Sequence, residues 1–559
     1  MVKAELHRVL EKIVSDLGAT VSFAVDYPPS NVSGGADYAT NAALAAAKAL
    51  GKNPQEVAES IKVELEKMAL PFVQEVTIAG PGFVNITLTS QFFRDAVART
   101  LSEGEEWGKN ALREGMRVMV EHTQPNPFKP FHIGHLMSNT IGESVTRLMR
   151  YSGAQVIAAN YQGDVGLHIA KAIWGLQQKG YDASDVTKIG EAYVSGNSAY
   201  EEDAKAKEEI VSINKRIYAR DPELMPLYNQ GREVTLARFE VLYRLLGTRF
   251  DHYFFESETA LPGMELVKEG KEKGVFEESE GAVVFRGEKA GLHTRVFITK
   301  EGLPTYETKD LGLAVSKLKL FPLDLSITTT AIEQGEYFKV VFEALAEMRP
   351  EFRGKFLHVA FGMLQLTSGK MSSRKGNIIT GESLIEDMTE AARLRMKEGD
   401  RDVGEDVAGI VGVAAIKYTV LKQNLGKNIV FDPEKSLSLE GDSGPYLQYA
   451  HVRTSSILRK AKEENVIADT HGPHGETTQL EKLLIRFPEV VERASQDIEP
   501  HHVAQYLTEL SSALNSWYAS TKVLDGTDQA PYKLAIVDAT RQTLKNGLYL
   551  LGISAPEEM

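Results

Sequence analysis

One stretch, Glu121-His-Thr-Gln-Pro-Asn-Pro-Phe-Lys-Pro-Phe-His-Ile-Gly-His135, limits what this chain can fold into more than any other. Ahead of it, Val118, Met119 and Val120 form an apolar run that reads as a buried strand. Behind it, Leu136, Met137, Ile141, Val145, Leu148 and Met149 recur at helical spacing. The expected local structure is a strand, a proline-rich loop and the start of a helix. His132 and His135 stand three residues apart at that start, with Gly134 between them. A helix N-terminus carries unpaired N–H groups and the positive end of its dipole, so it suits phosphate. Gly134 has no side chain to keep a nucleotide away from the backbone.

The rest of the chain is long enough to build several domains around this unit. At roughly 100–200 residues per domain, 559 residues suggest about three or four. There are no cysteines, which removes disulfides, thiolate zinc sites and cysteine nucleophiles together. No apolar run approaches the roughly 18 residues of a membrane helix. Residues 1–18 read as an amphipathic helix carrying Glu5, Glu11 and Asp16, which argues against a signal or transit peptide. A cytoplasmic protein is the expectation. The net charge is −14, whereas a protein held to nucleic acid by broad phosphate attraction should be basic. Any nucleic-acid contact must therefore be local, selected by shape and base stacking.

Three regions differ in pattern. Residues 1–112 read as an α+β unit, with helices over 42–50 and 54–68. Two strands follow within 73–88, around the turn Gly80-Pro81-Gly82. Residues 113–399 alternate strand-like and helix-like segments, the pattern of a parallel sheet in a Rossmann-like domain. Its strand candidates are 117–121, 155–160, 325–330 and 356–361. A long, mostly charged helical insertion is expected over 180–294. Residues 400–559 are helical in pattern almost throughout, as in an all-α bundle, after a charged linker at 400–405. His471 and His474 lie in a loop between helices, where exposed turn histidines are commoner than metal ligands.

Two motifs carry chemistry. The first is His132-Ile-Gly-His135, for which a chance HxxH or a pair of zinc ligands is the blander reading; no third ligand is obvious nearby. The second is Ser368-Gly-Lys370-Met-Ser-Ser-Arg-Lys-Gly376, which places three cations and three serines in a glycine-flanked loop. Ammonium groups neutralise a polyphosphate and hydroxyls bond its oxygens, so the loop suits a clamp. An exposed basic loop is the plain alternative.

The two together resemble the class I aminoacyl-tRNA synthetases. The form Gln124-Pro-Asn-Pro-Phe-Lys-Pro-Phe-His-Ile-Gly-His135 is similar to that of arginyl-tRNA synthetases. Ala36-Asp-Tyr-Ala-Thr-Asn-Ala42 and Ala79-Gly-Pro-Gly-Phe-Val-Asn-Ile86 resemble the N-terminal domain of that family. Asn160-Tyr-Gln-Gly-Asp-Val-Gly166 resembles its strand-end motif. Gly444-Pro-Tyr-Leu-Gln-Tyr-Ala-His-Val-Arg453, Asp538-Ala-Thr-Arg541 and the ending Leu551 to Met559 resemble its helical anticodon-binding domain. The resemblance runs through essentially the whole chain in order. Two positions depart from the pattern. Ser373 stands where the family usually has lysine, with Arg374 and Lys375 adjacent to stand in for it. Val165 stands where the family has tryptophan, which points to a packing change.

The resemblance implies ATP-dependent activation of L-arginine to arginyl-adenylate and transfer to the 3′ end of tRNA(Arg), with activation dependent on bound tRNA. It implies that His132, Gly134 and His135, with Lys370, Met371, Ser372, Arg374 and Lys375, hold ATP. Mg²⁺ would arrive with ATP, and no protein-bound zinc is expected. Arginine would be held by Glu121, Asn126, Tyr306, Asp310 and Gln334. A guanidinium is planar and always charged, so a carboxylate gives it both energy and geometry. Without the resemblance, Asp310 would read as a helix cap or surface charge. Tyr446, Tyr449 and Arg453 share one helical face and, with Tyr518 and Met559, form the implied anticodon surface; core packing is the blander reading. Phe83 and Asn85 are candidates for the tRNA elbow in a 1–112 elbow-binding domain. A monomer without membrane contact is expected. Another class I synthetase or nucleotidyltransferase, or a non-catalytic RNA-binding paralogue, stays open as an alternative.

Overall fold

The computed structural model describes residues 2–28, 35–367, 380–398 and 405–559. Its centre is a five-stranded parallel sheet. In chain order the protein's strands are β1 (Val25–Asp26), β2 (Tyr38–Thr40), β3 (Val73–Ala79), β4 (Phe83–Leu88), β5 (Arg117–Glu121), β6 (Gln155–Gln162) and β7 (His252–Phe255). They continue with β8 (Phe276–Ser279), β9 (Ala282–Phe285), β10 (Arg295–Ile298), β11 (Leu325–Ala331), β12 (Phe356–Phe361), β13 (Leu364–Leu366) and β14 (Ile429–Phe431). The central sheet has the order β12-β11-β5-β6-β7. The first strand in sequence, β5, is thus in the middle. The chain builds outward through β6 and β7, then returns to the other side for β11 and β12. In such a sheet the crevice at the carboxyl ends of the strands flanking the reversal is where ligands bind. Here that point lies between β5 and β11, where Glu121 sits beside Thr328.

The reason for this arrangement is in the side chains. Val118, Met119 and Val120 are fully buried, as a central strand covered on both faces requires. Helix Ile133–Tyr151 follows β5 and is buried along nearly its whole length, including Ser138, Asn139, Thr140 and Ser144. Gly142 permits the close packing: a Cβ there would lie 2.2 Å from the Cβ of His122.

The N-terminal unit is an antiparallel sheet of order β1-β2-β4-β3 packed on helices Val2–Asp16, Ala42–Leu50 and Pro54–Lys67. At the other end of the chain, helices Glu405–Leu421, Gly444–Glu463, His501–Ser520 and Ala530–Leu550 dominate. Part of this region returns to the strands that follow the central sheet, because β14 pairs in parallel with β13.

One expectation needs correction. Residues 180–294 are helical over Val186–Glu202, Ala204–Tyr218, Met225–Leu245 and Glu256–Glu272. They also contain β7, which pairs with β6 as the sheet's edge, and the strands of a small antiparallel sheet, β10-β9-β8. A four-residue strand inside a charged segment is too short for its periodicity to show; pairing with β6 is what makes it a strand.

Candidate active site

The loop leaving β5 is held in an unusual backbone path. Thr123, Gln124 and Phe128 all have positive φ, at 78°, 48° and 63°. For a β-branched residue such as Thr123 this is costly, on the order of 1–3 kcal/mol, and persists only when the surroundings enforce it. They do. The Thr123 N–H donates to Ser138 Oγ at 2.8 Å, and Asn139 Nδ2 donates to Thr123 Oγ1 at 3.1 Å. The Gln124 N–H donates to Asn160 Oδ1 at 3.2 Å, and Gln124 Nε2 to Glu121 Oε1 at 2.8 Å. The loop therefore enters the helix at a defined angle.

At that entry the His132 and His135 rings stack with centroids 3.4 Å apart, and the His132 N–H donates to His135 Nδ1 at 3.2 Å. Both imidazoles titrate below the usual histidine range. Loss of water around them is the main cause, and the Lys129 ammonium adds to it at both rings. They are neutral at pH 7 and present N–H donors without competing charge. Gly134 lies close against them, with a Cβ built there 3.0 Å from the His132 ring.

Beside His135 opens a cavity of about 590 Å³, lined at its polar end by Glu121, Gln124, Asn126, Glu256, Arg295, Glu307 and Asp310. Tyr306, Gln334 and Tyr337 also line it. All five residues expected to hold arginine thus meet in one place. Tyr306 is 60% exposed and lies over the Lys309 ammonium at 4.9 Å. Gln334 ends a short 3₁₀ turn after β11. Asn126 Oδ1 accepts from the Gly163 N–H at 3.0 Å, which leaves its NH₂ without a protein partner among the described residues.

The charges in this cavity are arranged in pairs. Lys317 Nζ lies 2.5 Å from Glu121 Oε2, both side chains 3% exposed. Lys309 Nζ lies 2.6 Å from Glu256 Oε2, and Arg295 Nη1 lies 3.0 Å from Glu307 Oε1. Asp310 is the exception. Among the described residues its side-chain partner is the Tyr337 hydroxyl, which donates to Oδ2 at 2.6 Å. Burial, with Glu121 and Glu256 adding to it, raises the Asp310 carboxyl to about 7, against the Tyr337 hydrogen bond and Lys317. Among the described residues, the cavity thus contains one carboxylate with no cation in salt-bridge distance.

Lys370, Met371, Ser372, Arg374 and Lys375 lie outside the described residues. The residues that follow them do not: Thr380 bridges to His132, and the Gly381 N–H donates to the Phe131 carbonyl at 2.7 Å. Thr380 and Gly381 therefore lie beside the histidine pair. Sequence reasoning passed over Tyr337, Lys309, Lys317, Arg295, Glu256 and Lys129. Lys129 stands within the quoted motif, so its position was visible there. The others come from distant segments and carry no local signal.

At the helical end, Tyr446 is buried and accepts from Asn515 Nδ2 at 3.0 Å. Tyr449 and Tyr518 both face the Arg453 guanidinium, at 5.7 and 4.8 Å from their ring centroids. Met559 lines a separate small cavity with Met396, Val411, Leu437 and Leu439. In the N-terminal sheet, Phe83 is 40% exposed at the β3–β4 turn, whereas Asn85 is buried within β4. Val165 is buried against Phe128 and Ile169, a packing position.

Comparison with known proteins matches three family models in chain order. They are the Arginyl tRNA synthetase N terminal domain at residues 1–88, the tRNA synthetases class I (R) catalytic domain at 96–433, and the DALR anticodon binding domain at 447–559. The chain is 33% identical over 527 residues to an arginine–tRNA ligase of Streptococcus thermophilus, covering 92% of this chain and 93% of that one. It is 32% identical over 520 residues to arginine–tRNA ligase 1 of Bacillus cereus, covering 92% of each. The arginyl-tRNA synthetase structure from Thermus thermophilus superposes over the full length of both chains, with a TM-score of 0.81 and 27% identity. A neutral histidine pair at the sheet's switch point, an acidic cavity beside it and similarity through all three regions converge on one assignment: this chain belongs to the arginyl-tRNA synthetases, the class I arginine–tRNA ligases.

Proposed function

We propose that Asp310 receives the guanidinium of arginine, and that this single unneutralised carboxylate defines the amino-acid pocket. The observation that carries the reading is the charge arrangement. Glu121, Glu256 and Glu307 each have a cation of the chain within salt-bridge distance, and Asp310 has a neutral phenol. One cationic side chain completes the cavity. Tyr306 flanks it at the mouth, while Asn126 and Gln334 offer amide groups for the arginine ammonium and carboxylate. Glu121 acts there mainly through Gln124 and Lys317, which its oxygens hold.

His132 and His135 hold the phosphates of ATP as neutral donors, with the backbone at Gly134 close by. Lys129, whose charge already acts on both rings, supplies a cation on the same side. Lys370, Ser372, Arg374 and Lys375 close over the pyrophosphate; the position of Thr380, a few residues later in the chain, beside His132 supports this. No group of three or more histidine, aspartate or glutamate side chains among the described residues is arranged to hold a metal. Mg²⁺ enters as part of the Mg·ATP substrate.

The chemistry is alignment and charge neutralisation. An arginine carboxylate oxygen attacks the α-phosphorus in line, the bond to the β,γ-pyrophosphate breaks, and arginyl-adenylate forms. A ribose hydroxyl of the tRNA 3′-terminal adenosine then attacks the acyl carbon and AMP leaves. Activation requires bound tRNA(Arg). Tyr449, Arg453 and Tyr518 offer stacking surfaces for anticodon bases, with Tyr446 buried near them and Met559 at a separate point of the same region, and Phe83 and Asn85 belong to the unit that meets the elbow. The three units divide at about 1–112, 113–399 and 400–559. The enzyme works as a cytoplasmic monomer. Among the described residues no helix is long and apolar enough to cross a membrane.

Pyrophosphate exchange with each amino acid, with and without tRNA, tests the reading. Exchange with arginine alone, dependent on tRNA, is expected. Asp310→Asn should lower kcat/KM for arginine by about 30-fold or more, the cost of truncating a desolvated charge pair, and leave the KM for ATP unchanged. Normal arginine activation by this variant rules the assignment out.

A further inference from the structure

We propose that Tyr337 is a positioning residue for arginine: its hydroxyl holds Asp310 Oδ2 and keeps that carboxylate available as the anion at neutral pH. The inference rests on the reading of Asp310 as the guanidinium acceptor.

An isolated carboxylate in a cavity has two problems. Low hydration favours its protonated form, and a neutral acid has little to offer a guanidinium. The groups facing Asp310 make the first problem worse. Glu121 from the end of β5 and Glu256 from the start of helix Glu256–Glu272 both repel a second negative charge. Lys317, on Asp310's own helix Tyr306–Leu320, opposes them, but its ammonium is already committed to Glu121 at 2.5 Å. Tyr161, from β6, is a phenol whose hydroxyl lies 3.0 Å from Thr259 Oγ1, so it supplies no charge. That leaves the Tyr337 hydroxyl, from helix Gly335–Met348, as the group that donates to the carboxylate itself.

Tyr337 is well placed to keep doing so. The Arg295 guanidinium lies 5.3 Å from its ring centroid, and Arg295 is in turn anchored to Glu307 at 3.0 Å. Phe338 packs edge-on against the same ring, with centroids 5.1 Å apart. The phenol is therefore fixed in direction. By occupying Oδ2 it also orients the carboxylate and leaves Oδ1 for the incoming N–H groups. Arg295 gains a second role: through Tyr337 it steadies a group that it does not touch.

The sign follows directly. Arginine binds the ionised form of Asp310, whose carboxyl titrates near 7 in the free protein. The KM for arginine in the intact enzyme should be flat above that pH and rise about tenfold per unit below it. Removing the hydroxyl removes a hydrogen bond that favours the anion. A charge-assisted hydrogen bond corresponds to about one pH unit, so Tyr337→Phe should move the break upward by that much.

The test is tRNA-dependent exchange or aminoacylation by the full-length chain from pH 6 to 9, with Tyr337→Phe and Asp310→Asn in parallel. Near pH 7 the Tyr337→Phe enzyme should show a KM for arginine raised about five- to tenfold, with the KM for ATP and the rate at saturating arginine unchanged. At pH 9 it should match the parent enzyme. A purely structural defect would not be rescued by alkali. Superimposable pH profiles, or an arginine defect equal at every pH, overturn the role of Tyr337. If Asp310→Asn itself keeps normal arginine use, the underlying pocket reading fails instead, so the two failures are distinct.

Discussion

The Glu121–Lys317 pair provides the sharpest test of how this cavity is built. Both side chains are 3% exposed and their charged atoms lie 2.5 Å apart. Lys317 Nζ also donates to Ser326 Oγ at 3.2 Å, and Glu121 Oε1 accepts from Gln124 Nε2. The pair therefore ties helix Tyr306–Leu320 to the end of β5 at the sheet's switch point and to the start of β11. Lys317→Met removes one partner and leaves a carboxylate buried without compensation. The expected loss is about 3–5 kcal/mol in the unit that contains the central sheet. Glu121→Met strands the ammonium and should cost a similar amount. The double variant removes both charges and puts apolar groups of similar volume in their place, a change that is often close to neutral for a buried pair. A double-mutant cycle in urea, read by hydrogen exchange at β5 and β11 so that the other regions do not mask the transition, measures the coupling. The double variant should lie within about 2 kcal/mol of the parent. Additive losses, totalling about 6–10 kcal/mol, would show that the two groups do not depend on each other, and the charge arrangement argued for the pocket would fall with them.

Two further outcomes follow from the same geometry. In Gly163→Ala the new Cβ would stand 2.7 Å from Asn126 Oδ1 and 2.9 Å from Glu256 Oε1, so Asn126 must move. The KM for arginine should rise by about 10-fold or more, as a displaced positioning group implies, with ATP use little changed; an unaltered arginine KM would argue against a role for Asn126. Arg453→Ala and Tyr518→Ala should weaken tRNA(Arg) binding by about 1–3 kcal/mol each, measured by filter binding, whereas Tyr446→Phe, a change at a buried residue, should lower thermal stability more than affinity.

Much of the site was legible before any coordinates because it is local. A buried strand, a loop and a helix start are written in consecutive residues. The bounds read for β5 and β12 coincide with those observed, and β6 and β11 extend only one or two residues beyond the expected ends. What could not be read was the partner of each charge. Lys309 and Lys317 look in sequence like the solvated face of a helix, yet both are buried, and their carboxylates lie 53 and 196 positions away. Periodicity reports which face of a helix is apolar. It says nothing about which cation another segment will demand. The same gap explains β7, whose pairing with β6 was invisible.

The helix that begins at the histidine pair also explains how distant parts of the chain meet the site. Its N-terminus carries His132 and His135. Further along, Ser144 Oγ donates to the Leu550 carbonyl at 2.7 Å and Arg147 Nη1 to the Tyr549 carbonyl at 2.8 Å. Arg147 is itself held by Glu143 at 2.6 Å and reaches Gly247 O with its other nitrogen. Lys417, fully buried in helix Glu405–Leu421, closes the same junction by donating to Leu246 O and Gly552 O at 2.6 and 2.7 Å. Burying an ammonium is costly, and its titration falls to about 7 for that reason, with Arg147 adding to the effect. A lysine is retained there because each buried carbonyl left without a donor would cost about 1–3 kcal/mol. A single helix thus runs from the histidine pair to the last residues of the helical bundle. A shift of that bundle of even an ångström must be transmitted to the histidines or break these bonds, because a close-packed helix has no slack in which to absorb it.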